Sequence, residues 1–266
     1  MRNHSLRAVA GAAGGGAPTY DADAQAMFDK RVLDSDEPSA AYKQAISDYV
    51  TDLKAISGHW DTITQLVVFA GATTVAGGLR SIKGPDLTHS NLVAGDFALK
   101  TGVKGNASNK HIVTGYDNTS FTQNNMHTYA LLTESPTNNG MIFGNGNAGT
   151  GAWSMVVNGT TGNSAGRCRS TTADSVAGIS PGGYGMSRSV SGSYNRMVAS
   201  SVTSVTRISA IPNASPMFVL ASSSAGSSSP TSRTDARILV WAIGPATTLG
   251  DYTTPGADLI TALNAI

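Results

Sequence analysis

Three Asn-Gly pairs, Asn139-Gly140, Asn145-Gly146 and Asn158-Gly159, fall among short segments in which apolar and polar residues alternate. Asn and Gly accept the positive φ angles of a two-residue hairpin turn, and such a turn folds one strand back onto the next. A chain punctuated in this way is committed to antiparallel pairing of short strands. The alternation starts near Asn91: Phe97, Leu99 and Thr101 interleave with Ala98, Lys100 and Gly102, and GNASN then turns. Further strand candidates lie at residues 111–113, 127–133, 141–143, 153–157, 184–190, 194–200, 217–221 and 237–243. Turn signals every ~8–12 residues are the spacing of an antiparallel sandwich or barrel. SSSAGSSSP, ahead of the last candidate, reads as a polar low-complexity loop. RILVWAIG is apolar on both alternating faces, which places it centrally in a sheet covered on both sides. Trp241 within it reads as core, as does Trp153, which shares a strand face with Met155 and Val157.

Residues 20–70 follow a different period. Asp21 is placed to cap a first helix with Ala24, Met27, Phe28 and Val32 on one face. Ser35, Asp36 and Pro38 stop that helix and start a second. There Tyr42, Ile46, Tyr49, Val50, Leu53 and Ile56 form an apolar stripe, ended by Gly58. Asp61 begins an expected third helix with Ile63, Leu66, Val67 and Ala70 facing inward, and a short last helix is expected at residues 255–265. Helices this short bury no core alone, so their stripes need either the sheet or other copies of the chain. Tyr42, Ile46, Tyr49 and Leu53 form the candidate oligomer face. Gly77, Gly78, Gly84 and Pro85 mark a junction. The expected organisation is a Gly-rich tether (1–19), a short helical collar (20–85) and a β-sandwich (86–266). In the tether Arg7 interrupts the apolar run and Gly14 to Gly16 break any helix, which argues against a signal peptide. No stretch approaches the ~20 apolar residues of a membrane span.

Several chemistries find no support in the residues. The net charge is +1, with 9 acids and 6 bases in residues 1–61 against 8 and 12 in the rest. That is too even for a nucleic-acid surface, which needs clustered Lys and Arg. Cys168 is the single cysteine, so neither an internal disulfide nor a thiolate zinc site is available, and it reads as a half-buried strand residue. A retaining glycosidase needs two carboxyl groups ~5–5.5 Å apart; after residue 61 the one Glu is Glu134, and no Asp lies within two residues of it. The five His residues show no ligand spacing. Asp117 and Asn118, near Asn124 and Asn125, could offer oxygens to calcium, but their turn-forming role explains them more cheaply. No metal or cofactor is expected.

The order of segments resembles a family of phage virion proteins of the tail type. The matching pieces are GGGAPTYDADAQAMF (14–28), AISDYVTDLKAISGHW (45–60) and FAGAT (69–73), then TGVKGNASNKHIVTGYD (101–117), SRSVSGSYNR (187–196), MFVLASSSAG (217–226) and RILVWAIGPATT (237–248). Together they span most of the chain. The resemblance implies a mainly β fold, a concanavalin-like or laminin-G-like antiparallel jelly-roll sandwich preceded by a small helical segment, with no catalytic residues to carry over. It also implies a non-enzymatic virion protein of the tail, baseplate or fibre that displays its sandwich for host-surface glycan recognition. The alternative is a capsid decoration or cement protein that binds nothing small. Tyr116, Tyr184 and Tyr194, in or beside polar turns, are the candidate sugar-binding residues. Other virion proteins bound through residues 1–60, a homo-oligomer with a trimer favoured, and synthesis in the host cytoplasm without a signal peptide complete the expectations.

Overall fold

Both apolar faces of Arg237–Gly244 are covered, which makes this strand the spine of the molecule. The computed structural model describes residues 18–146, 151–223 and 227–266; residues 1–17, most of the expected tether, lie outside them. Four α-helices, α1 (Ala22–Leu33), α2 (Ala40–Ala55), α3 (Val75–Gly78) and α4 (Thr253–Ala265), accompany seventeen strands among the described residues. In chain order these are β1 (Gln65–Val68), β2 (Thr88–Ser90), β3 (Phe97–Ala98), β4 (Gly102–Lys104), β5 (His111–Asp117) and β6 (Met126–Glu134). Next come β7 (Asn139–Asn145), β8 (Ala152–Asn158), β9 (Asn163–Ser170), β10 (Asp174–Ala177), β11 (Gly182–Arg188) and β12 (Ser193–Val198). The last are β13 (Ser201–Thr206), β14 (Pro216–Val219), β15 (Ser222–Ser223), β16 (Pro230–Thr231) and β17 (Arg237–Gly244).

An eight-stranded antiparallel sheet runs β13-β12-β11-β6-β17-β4-β3, with β1 also paired to β17; a seven-stranded one runs β10-β9-β8-β7-β14-β5-β2. Packed face to face, they form an antiparallel β-sandwich, one of the two architectures that the turn spacing predicts. Ile238, Trp241 and Ile243 of β17 enter the core between the sheets, with Ile112, Ile142, Trp153 and Met155 from the other side. Leu239, Val240 and Ala242 point the opposite way, into a second core roofed by α1, α2 and α4. Three layers result, and a strand in the middle layer must be apolar on both faces.

The helical segment departs from expectation in three respects. The stripe Tyr42, Ile46, Tyr49 and Leu53 is no free oligomer face: all four are buried within the single chain, where α2 lies on the eight-stranded sheet beside α4. Each large apolar side chain so covered contributes about 1.5–3 kcal/mol. The expected third helix is instead a 3₁₀ turn, Trp60–Thr62, followed by β1, in which Val67 stands opposite Trp241. A short apolar run carries no period of its own; here Val67 joins the inter-sheet core, and Leu66 and Val68 the one under the helices. A strand of the main sheet therefore lies inside the expected collar, so the chain crosses the boundary drawn at residue 85. In α1, Val32 is 46% exposed and Arg31 turns inward instead. Its guanidinium meets Asp36 at 2.8 Å and donates to the Ala70 carbonyl at 3.0 Å.

Candidate recognition site

The pairing of β5 with β14 breaks register beside Tyr116. Val113 stands opposite Phe218 and Asp117 opposite Pro216, so Thr114, Gly115 and Tyr116 share the one place across from Met217. Such a bulge re-aims side chains. Gly115 accommodates it at φ 81, a left-handed value that costs glycine nothing. Thr114 closes it from below: its buried hydroxyl donates to the Met217 carbonyl at 2.9 Å and accepts from the Tyr116 N–H at 3.2 Å. The half-buried Tyr116 ring then rests on the edge of the inter-sheet core, 5.8 Å from Phe121.

Tyr116 and Asp117 form one wall of a cleft of about 320 Å³, and Ala214, Ser215 and Pro216 form the other. Asp117 is the one charged residue among those that line it. Its Oδ1 accepts the Thr119 hydroxyl at 2.6 Å, the Thr119 N–H at 2.7 Å and the Ser120 hydroxyl at 3.3 Å. These donors, the Thr119 hydroxyl first, hold the carboxyl below the ordinary aspartate range against the opposing effect of burial. The group is a fixed anion at neutral pH, with Oδ2 directed to none of those donors.

Two buried arginines stiffen loops of the sandwich, Arg169 the loop that follows Asp117 and Arg188 the turn between β11 and β12. Arg169 donates through Nε to Asn118 Oδ1 at 3.0 Å and through its terminal nitrogens to the Asn118 and Thr122 carbonyls. Burial pulls its pKa down to about 10. Asn118 in turn donates to the Ser215 carbonyl from its N–H, at 3.1 Å, and to the Gly151 carbonyl from its side chain, at 2.6 Å. Arg188 donates to the carbonyls of Cys168 at 2.7 Å, Ser191 at 3.1 Å, Ser193 at 3.2 Å and Arg207 at 3.1 Å. The contacts of both guanidinium groups are with neutral partners, so each acts as a multi-armed donor that fixes loop carbonyls. Three exposed apolar side chains stand on these loops: Val190 (53% exposed), Ile208 (79%) and Ile211 (80%).

Of the three candidate tyrosines, only Tyr116 reaches a cleft. Tyr184 is fully buried, and its hydroxyl donates to the Ser180 carbonyl at 2.9 Å. Tyr194 is 3% exposed beneath the Arg188 guanidinium, 5.3 Å away. Both sit on core-facing strand positions, where an aromatic ring is worth most as packing. Asp117 and Asn118 do not converge as calcium ligands, because the Asn118 side chain turns inward to Arg169 and Gly151. Among the described residues no group of three or more His, Cys, Asp or Glu is placed to hold a metal ion. Cys168 is wholly buried, more than expected, and burial pushes its thiol up to about 12. Two pentapeptides of the GxSxG form, at residues 162–166 and 178–182, are not nucleophile elbows. Ser164 lies buried inside β9, and Ser180 precedes strand β11, not a helix.

No protein-family model matches the chain, and no curated protein does. Among solved structures it is similar to the sialidase of Trypanosoma rangeli, with 10% identity, a TM-score of 0.47, and 80% of this chain aligned to 38% of that one. It is similar to the binding domain of botulinum neurotoxin serotype D (10%, 0.46, 72% against 50%). Domain 4 of an extracellular arabinanase from Geobacillus stearothermophilus, in complex with arabinotriose, is a third (15%, 0.46, 73% against 98%). The chain spans well under half the length of the sialidase and about half that of the toxin domain.

Proposed function

We propose that this chain is a non-enzymatic virion protein that recognises a host-surface glycan in the Tyr116 cleft. The observation that carries the reading is the pairing of an aromatic face with a fixed carboxylate in one concavity, beside a loop pinned by the buried Arg169. A sugar offers an apolar ring face and a rim of hydroxyl donors, and these two groups complement them. A volume of about 320 Å³ suits one or two sugar units. The single negative charge favours neutral or amino sugars over sialic or uronic acids. Placement in a virion rests on the segment resemblance, and the pinned loops suit outward display.

The carboxylates support a binding role over a hydrolytic one. Asp34 and Asp86 are bridged by Arg80, at 2.6 and 2.7 Å, and Glu134 is held by Lys104 and Arg237. These acids are engaged in ion pairs and do not face one another across the cleft. The exposed Ile208 and Ile211 favour a second reading, a decoration protein that uses the same loops to grip a neighbouring capsid or tail subunit. A glycan array probed with the full chain, followed by calorimetry on the best ligand, separates the two. Glycan recognition requires a hit whose affinity falls about tenfold or more in Tyr116→Ala, the loss of one stacked ring at ~1.4 kcal/mol. An array without any hit sinks it in favour of the decoration reading.

A further inference from the structure

Five strands end the two sheets, and they are not alike. β1, paired with β17 alone, is buried along all four residues and bridged on its outer side by Lys83. β3 has two residues, β2 three and β10 four; β10 also carries Asp174, which is ion-paired with Arg196. Short or charged edges are the usual protection against unwanted pairing. β13 has neither device: it is six residues long, reads SVTSVT, and contains no charge, proline or glycine. Ser201, Val202, Thr203 and Ser204 are exposed in succession.

The inner hydrogen bonds of β13 fix which of its groups face outward. The hairpin from β12 turns at Ala199 (φ 47) and Ser200 (φ 66), a two-residue primed turn, and Val198 stands opposite Ser201. At the other end the Arg207 N–H donates to the Gly192 carbonyl at 3.0 Å. Ser201, Thr203 and Val205 therefore spend their backbone groups on β12. Val202, Ser204 and Thr206 turn theirs away from the sheet.

We propose that this edge is an interface between two copies of the chain, paired antiparallel about a two-fold axis at Ser204. That register sets Ser204 against its own counterpart and Val202 against Thr206 of the other copy, and it satisfies the outward N–H and C=O of all three residues. It brings no like charges together, because Arg207 falls across from Ser201 and is itself 3.7 Å from Asp174 of its own chain. β-branched residues oppose one another, a favourable cross-strand combination. The two eight-stranded sheets become one continuous sheet, and the Tyr116 cleft, on the other sheet, is presented twice. A contact of one strand pair is small, so the dimer is expected to form in the micromolar range.

Sedimentation velocity on the full chain, from about 1 to about 100 μM, tests the interface. A monomer–dimer equilibrium is expected. Ser204→Pro removes an outward N–H without touching the bonds to β12, and Val202→Lys places a repelling charge on the edge. Each should weaken dimerisation tenfold or more, with circular dichroism and melting temperature checking that the fold persists. Should Ser204→Pro fail to fold, Val202→Lys alone decides. A monomer throughout the concentration range overturns the proposal, as does an oligomer of any order that Val202→Lys leaves unchanged.

Discussion

Arg169 shows how much one side chain decides at the site. In β9 it sits at φ 52 and is the extra residue of a bulge, since Ala152 pairs with Ser170 but Trp153 pairs with Cys168. The bulge lets Cys168 and Arg169 both be buried, which regular alternation forbids. Arg169→Met would leave the Asn118 and Thr122 carbonyls without their donor, at a cost on the order of 3 kcal/mol. Hydrogen exchange should show faster amide exchange over residues 118–123, and sugar affinity should fall although the residue is remote from the cleft. Asp117→Asn makes the opposite test. The amide oxygen can still accept from Thr119, so the turn and the melting temperature should hold. An amino sugar should nevertheless lose about tenfold in affinity as a charge-assisted bond becomes a neutral one. Equal affinity for a uronic acid in the native chain would contradict the charge argument. Tyr116 could be read from the sequence as a ring beside a polar turn, but Tyr184 and Tyr194 look the same there. Which ring faces outward depends on bulges, and a bulge shifts parity without leaving a residue signature.

At the scale of elements, legibility followed burial. β17, buried on both faces, announces itself as an unbroken apolar run, and β8 by apolar residues on its inward positions; β13 buries only Val205 and leaves no period to read. β1 is open to a helical reading because its four residues are buried on both faces and Leu66, Val67 and Val68 are apolar in succession. The β12–β13 turn combines two non-glycine residues at positive φ, and its two positions differ in what they do. Ser200 has a role there, its hydroxyl accepting the Gly183 N–H at 2.8 Å. Ala199 has no such contact to offer and bears the strain of the left-handed region. Asn tolerates that region better, so Ala199→Asn should stabilise the chain by about 0.5 kcal/mol and raise the melting temperature by ~1–2 °C. Ser200→Gly, which relaxes the backbone but loses the hydrogen bond, should give no comparable gain.

At the scale of the whole molecule, the eight-stranded sheet and the helical layer are joined where His127 lies. Its Nδ1 is 2.6 Å from the Pro245 carbonyl, which can only accept, so Nδ1 carries the proton and Nε2 accepts from the Tyr252 hydroxyl at 2.8 Å. Tyr252 stacks on Tyr129 of β6 at 4.1 Å and meets the edge of His59 at 4.5 Å. This knot ties the sheet to the segment leading into α4. Both imidazoles are buried: burial pulls His127 down to about 4 and also lowers His59, against the pull of Asp251 at 3.4 Å. A histidine whose folded pKa lies below its unfolded value near 6.5 gives its full stabilisation above pH 6.5 and loses it as pH falls through that value towards 4. For His127 alone the loss amounts to about 3 kcal/mol. Asp34, Asp86, Asp117, Glu134 and Asp235, all held below their ordinary range, act in the same direction, but only below about pH 4.5 where unfolded carboxylates begin to protonate. Between pH 6.5 and 4.5 the slope therefore belongs to the histidines. Denaturant midpoints at pH 7, 6 and 5 should fall steadily for the native chain and fall distinctly less for His127→Gln, which keeps a donor and an acceptor but cannot gain a charge; the slope that remains belongs to His59 and His111, which burial also lowers. A native midpoint that is flat over this window would show that the knot opens to water and does not hold the sheet to the helical layer.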